Sequence, residues 1–281
     1  MTTVIEDLLG TRLRRAPAPA DPAGPPLVLL SAWPQTLRSW DAHWAALAAR
    51  HELVAVELPG FGRAPLAARA EMRPSAQAAA LARLLDALGL PAAVVVAPDV
   101  GVPVALRLAQ DRPDRVAGLV VFDGPASFPP RFSWEGRLLA RSRTARALTA
   151  AAGIPFVLEI VRRGYRRRRP PLAVVLDHLR SAASPRRFGR QLAFVGSYAE
   201  ELPALQARLR DVRVPVLVTW GTEDEFVLPE EGRALAAALP QATWEPLEGC
   251  GHYAHEDAGP AFTALVERWW SAVAPAAPLA A

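Results

Sequence analysis

Lysine and asparagine are absent from this sequence of 281 residues, and cysteine occurs once. A single thiol, Cys250, excludes an intramolecular disulfide and fits a reducing, cytoplasmic setting. No run of about 18 uninterrupted apolar residues is present, so no membrane span and no membrane partner are expected. The stretch Met1–Arg15 carries Glu6 and Asp7 and has no long apolar core, so it does not read as a signal peptide. Metal-ligand clusters, Gly-x-Gly-x-x-Gly phosphate loops and internal repeats are all missing. No metal and no cofactor are therefore expected.

The missing lysine also explains the charge. All 32 basic residues are arginine, set against 28 acidic ones, for a net charge of +4. Arginine does not titrate in the ordinary range, so a small excess lifts the pI to about 10.1. A nucleic-acid binder would spread basic residues along a face. The one dense run here, Arg162–Arg169 around Gly164 and Tyr165, reads as a solvated basic face. The expected partner is a small, apolar molecule and not a nucleic acid; a homodimer stays open.

Hydrophobic residues make up 51% of the chain, enough for one large core. Short apolar runs at Leu27–Leu30, Glu52–Glu57, Ala92–Ala97, Val116–Phe122, 214–219 and Thr243–Leu247 predict strands. Helical spacing at Trp40–Ala49, Ser75–Leu88, Gly101–Gln110, Glu230–Leu239 and Gly259–Val273 alternates with them. The alternation predicts an α/β fold: a mostly parallel sheet covered on both faces. Residues 127–209 break the pattern and read as an inserted helical lid over the carboxyl ends of the strands. The expected organisation is a core part at 1–126, the lid at 127–209 and a second core part at 210–281. The final residues, 274–281, read as a frayed end.

Three motifs carry chemistry. The first, Ala97-Pro98-Asp99-Val100-Gly101, sets small residues two positions either side of an aspartate, between a strand and a helix. That is the pattern of a nucleophile elbow, whose tight turn exposes the central side chain above a helix N-terminus. Alone, it reads equally as an ordinary helix N-cap. The second, Gly221-Thr222-Glu223-Asp224, follows a strand and offers an acid; Asp123, at the end of the fourth strand, is the alternative acid. The third is Gly251-His252-Tyr253, ahead of the last helix. The chain order is then nucleophile, acid, base. His255 reads as a surface residue and Cys250 as packing.

On these residues the chain resembles the α/β-hydrolase superfamily along nearly its whole length. An aspartate at the elbow is similar to the epoxide hydrolase and haloalkane dehalogenase branch. The resemblance implies covalent catalysis. Asp99 attacks carbon to give an alkyl ester, His252 activates water, and Asp224 orients the imidazole. It also implies an oxyanion hole from the backbone N–H groups of Val100 and Trp33. The family's usual His-Gly-x-Pro loop is replaced here by Ser31-Ala32-Trp33-Pro34, and Val102 replaces a second glycine. Dehalogenases hold the leaving halide with two side-chain N–H donors, one of them directly after the nucleophile, where this chain has Val100. Epoxide hydrolases polarise the substrate oxygen with two lid tyrosines, and the resemblance implies Tyr165 and Tyr198 for that role. Epoxide opening is thus the expected reaction; dehalogenation, a non-hydrolytic biosynthetic reaction and a receptor role are the alternatives.

Overall fold

A computed structural model describes residues 4–274. Eight strands form one sheet: β1 (Val4–Leu8), β2 (Thr11–Ala16), β3 (Leu27–Leu30), β4 (Leu53–Glu57), β5 (Ala93–Pro98), β6 (Val116–Phe122), β7 (Val216–Gly221) and β8 (Ala242–Leu247). Their spatial order is β1-β2-β4-β3-β5-β6-β7-β8. From β4 to β8 every pairing is parallel, and only β2 is reversed, pairing antiparallel with both β1 and β4. This is the mostly parallel α/β sheet expected from the alternating pattern, in the arrangement that the resemblance to the α/β-hydrolase superfamily implies. The central strands are apolar along their whole length because both sheet faces are covered, which leaves no polar side to alternate with.

The helices are α1 (Asp41–Ala48), α2 (Pro74–Ala87), α3 (Gly101–Asp111), α4 (Trp134–Arg141), α5 (Arg143–Ala151), α6 (Gly153–Gly164), α7 (Leu172–Ala182), α8 (Pro185–Gly196), α9 (Tyr198–Ala207), α10 (Pro229–Ala238), α11 (Ala254–Ala258) and α12 (Pro260–Val273). One sheet face carries a core that includes Val95, Val121 and Val218 with α2, α3 and α10. The other packs Val94, Phe122 and Leu217 against Trp40, Phe262 and Trp269 from the loop before α1 and from α12. Six helices, α4 to α9, stand between β6 and β7, with a smaller core of their own around Val157, Phe188 and Leu192.

Three expectations need correction. The hairpin β1–β2 was not expected: its residues, VIEDL and TRLRRA, are too charged to stand out as strands. The expected last helix is present as α12, but the short helix α11 ahead of it was not expected. Gly259, at φ +57°, ends α11, and Pro260 then starts α12. His255 is not at the surface. It is fully buried in α11, against Trp40, His43 and Phe262. The frayed end read over 274–281 lies, but for Ala274, outside the described residues.

Candidate active site

The strand β5 runs into a turn at Asp99 and out through α3. Asp99 sits at φ +45°, a left-handed conformation that side chains rarely adopt. Close packing holds the turn in place. Asp99 N–H donates to Phe122 O at 3.0 Å, and Val102 N–H donates to Asp99 O at 3.0 Å. A Cβ on Gly124 would come within 2.1 Å of the Asp99 carbonyl oxygen, so only glycine lets β6 end beneath the turn.

The Asp99 carboxylate is anchored on one side. Trp33 N–H donates to Oδ2 at 2.9 Å, and the Val100 N–H also supports the charge. These are the two backbone donors named from the sequence, brought together although the Ser31-Ala32 pair replaces the usual His-Gly. Burial pushes the Asp99 carboxyl above its ordinary range. His252, Trp33 and Val100 pull in the opposite direction without cancelling it.

His252 stands in the turn between β8 and α11. Its Nδ1 lies 2.9 Å from Asp224 Oδ2. Asp224 is itself fixed, because its Oδ1 accepts from Phe226 N–H at 2.8 Å and Val227 N–H at 3.2 Å. Burial works against a charged His252. The carboxylates of Asp224, Asp99 and Asp123 outweigh it and hold the imidazole up to about 9.

Asp123, the alternative acid, is placed differently. Oδ1 accepts from Gly221 N–H at 3.0 Å and Oδ2 from Ala254 N–H at 3.1 Å. Both oxygens are taken by backbone, so the imidazole hydrogen bond falls to Asp224. Asp123 ties the end of β6 to β7 and to the start of α11. Burial, then the Asp224 charge, pushes its carboxyl well above the usual range.

A cavity of about 190 Å³ opens on these groups. Asp99, Val100, Trp33 and His252 line one side, while Phe132, Leu139, Phe156, Ile160, Val195 and Phe226 supply an apolar wall. Tyr198 is part of that wall, close enough for the Asp99 charge to oppose its ionisation. Tyr165 is not. Its hydroxyl donates to Glu256 Oε1 at 3.0 Å, away from the cavity. Burial raises Glu256 to about 8. The two tyrosines therefore do not converge on Asp99.

Other residues escaped the sequence reading. Gln191 on α8 accepts from the Trp33 indole N–H at 2.9 Å and donates to Gly60 O at 3.2 Å. The only hint was a polar residue on the apolar face of a helix, beside Phe188, Leu192 and Phe194. At the cavity rim, Arg163 pairs with Glu135 at 2.7 Å and Glu225 at 3.0 Å. The arginine run is thus only partly solvated. The backbone N–H groups of Arg166, Arg167 and Arg168 also converge on the Asp257 carboxylate, at 2.7–2.9 Å. Cys250 is buried in the core, and burial raises its thiol to about 11. It is packing material and not a nucleophile.

Comparison with known proteins agrees with this architecture. Residues 25–259 match the model of the alpha/beta hydrolase fold family. A 2-hydroxy-6-oxononadienedioate/2-hydroxy-6-oxononatrienedioate hydrolase of Burkholderia vietnamiensis is 28% identical over 280 residues, covering 94% of this chain and 92% of that protein. In fold, the chain is similar to a protein described as an ancestral haloalkane dehalogenase, at TM-score 0.79 and 21% identity, covering 98% of this chain and 100% of the other. It is also similar to a thermophilic esterase from Thermogutta terrifontis, at TM-score 0.75 and 23% identity, covering 97% and 99%.

Proposed function

The chain belongs to the alpha/beta hydrolase fold family, and within that family of hydrolases we propose that it works through Asp99 as a carbon nucleophile, opening a small apolar epoxide to a diol. One observation carries this reading. A buried carboxylate has one oxygen anchored by the Trp33 backbone N–H and shares an apolar cavity with an imidazole held by a second carboxylate.

The other Asp99 oxygen attacks the epoxide carbon, the carbon–oxygen bond breaks, and the alkoxide takes a proton through the Tyr198 hydroxyl. Residues 127–209 serve as the cap that excludes water. Esterification removes the Asp99 charge and with it one of the carboxylates holding His252 protonated. His252 then gives up its proton to restore the Tyr198 hydroxyl, and the neutral imidazole takes a proton from water. Water attacks the ester carbonyl, the oxyanion forms where the Trp33 N–H already donates, and its collapse restores the Asp99 carboxylate and expels the diol, whose oxygen takes the proton held by His252.

Halide displacement fits less well. The Trp33 indole N–H is spent on Gln191, and Val100 offers no side-chain donor. A carboxylate adding to a ketone is readily expelled again. Hydrolysis of an oxo-dienedioate, the substrate that names the Burkholderia relative, would therefore need His252 to activate water directly.

The test is turnover of styrene oxide beside a simple bromoalkane. Diol should form with the epoxide, and Asp99→Ala should abolish it by roughly a thousandfold or more while the protein stays folded. Bromide release without diol, or diol formation surviving in Asp99→Ala, would overturn the proposal.

A further inference from the structure

Charge is unevenly distributed along the chain. Residues 127–209 carry 16 arginines against five acidic side chains, a net of +11. The rest of the chain carries 16 arginines against 23 acids, a net of −7. The chain's small overall charge hides two strongly opposed parts, and the positive one is the helical segment α4–α9.

That segment also exposes apolar side chains in a regular way. Trp134 and Leu138 on α4, Ile154 and Leu158 on α6, and Leu172 and Leu176 on α7 are all exposed, Trp134 to 65% and Leu172 to 71%. Each pair is spaced four residues apart, so each lies on one side of its helix. The inner helix α8 meanwhile buries Phe188, Leu192 and Phe194. Large apolar residues exposed in this number call for a partner. Arginines sit among them. Burial, then the charges of Arg69 and Arg143, lowers Arg146, so cations in this region face other cations.

We propose that the outer side of α4–α7 docks onto the surface of an anionic bilayer, its apolar pairs entering the headgroup region and its arginines meeting lipid phosphates. Such a combination of a cationic, low-hydropathy face with Trp and Leu is what holds amphipathic helices in a membrane interface. A second copy of the chain is a poorer occupant, because two copies of a segment of net +11 repel. The negative remainder of the molecule would turn away from the lipid. The sequence alone suggested no membrane partner, since it has no spanning helix; exposure on separate helices becomes visible only in the fold. The docked face bears functional consequences if the proposed chemistry holds, because Glu135 and Arg163 at the cavity rim belong to α4 and α6. An apolar substrate dissolved in the bilayer would then meet the cavity from the side where it is concentrated.

Vesicle co-sedimentation tests the docking without requiring turnover, so its outcome is independent of the epoxide assay. The full chain should sediment with vesicles of phosphatidylcholine and phosphatidylglycerol in equal parts and stay in solution with phosphatidylcholine alone. Leu172→Glu/Leu176→Glu and Arg141→Glu/Arg143→Glu should each weaken binding by roughly tenfold or more. All four positions are exposed, so an unchanged melting temperature is expected for both variants. Tryptophan emission should shift to the blue on binding, and Trp134→Phe should remove the shift. Failure to sediment with anionic vesicles would overturn the proposal. So would sedimentation unaffected by the leucine variant, which would leave only charge attraction. Dimerisation of the free protein abolished by Leu172→Glu/Leu176→Glu would assign the face to a second copy, and would overturn it too.

Discussion

In the proposed reaction Asp99 attacks only when ionised, and its surroundings pull both ways. Burial raises its carboxyl above the ordinary value, while the His252 charge and two backbone donors oppose that rise. The acid limb of kcat/KM should therefore fall above the usual aspartate range. In His252→Gln, where the imidazolium is gone, the same limb for the alkylation step should move higher still. A limb at or below the ordinary value, or one moving down in the variant, would contradict the assignment. The two tyrosines separate equally clearly. Tyr198→Phe should slow alkylation by roughly a hundredfold, the effect of losing one donor to a developing oxyanion. Tyr165→Phe should change it little, because its hydroxyl serves Glu256. The sequence could not tell these tyrosines apart. Both lie in the helical segment, and which way each hydroxyl points is set by packing between helices. Asp99, Asp224 and His252 were legible because each sits in a turn after a strand, whose local chemistry is written within four or five residues.

Asp123 acts at the scale of elements, because one carboxyl joins β6, β7 and α11. Asp123→Ala would leave the Gly221 and Ala254 N–H groups buried and unpaired, at a cost of about 2–5 kcal/mol. It should lower the melting temperature clearly, and Asp123→Asn, which keeps an acceptor, should lower it less. Asp224→Asn, which keeps an acceptor for the Phe226 and Val227 N–H groups, should instead lose activity with a smaller change in melting. An Asp123→Ala protein as stable as wild type would remove the structural role. The packing of α11 and α12 against the loop before α1 sets a second property. His43 is buried and lowered to about 4, and burial also lowers His255 and His178. The unfolded chain takes up the His43 proton near the ordinary value of 6.5, while the folded protein does so only near 4. Stability is therefore complete above about pH 6.5 and declines as the pH falls towards 4, on the order of 3 kcal/mol for His43 alone. Urea midpoints across that range should show the decline, and His43→Gln should flatten it. Elements with continuous apolar runs were legible in sequence, the central strands above all. The β1–β2 hairpin was not, because edge strands carry charge to blunt their exposed ladder. Nor was the contact from Gln191 to Trp33 and Gly60, which joins residues far apart in the chain.

At the scale of the whole molecule, the fold converts a nearly neutral sequence into a core of net −7 and a helical segment of net +11. The cavity lies against both, with Asp99, Val100 and His252 from the core and Phe132, Phe156, Ile160 and Tyr198 from 127–209. The central claim is that the reaction passes through an ester on Asp99, made without help from His252 and broken only with it. Replacing His252 by Gln should therefore stop hydrolysis and spare alkylation. The direct measurement is the intact mass of the His252→Gln protein after incubation with an epoxide that the wild type converts. The account predicts a gain equal to the whole epoxide, mapped to the peptide holding Pro98-Asp99-Val100. A protein of unchanged mass, or an adduct on another residue such as Ser31, would contradict it.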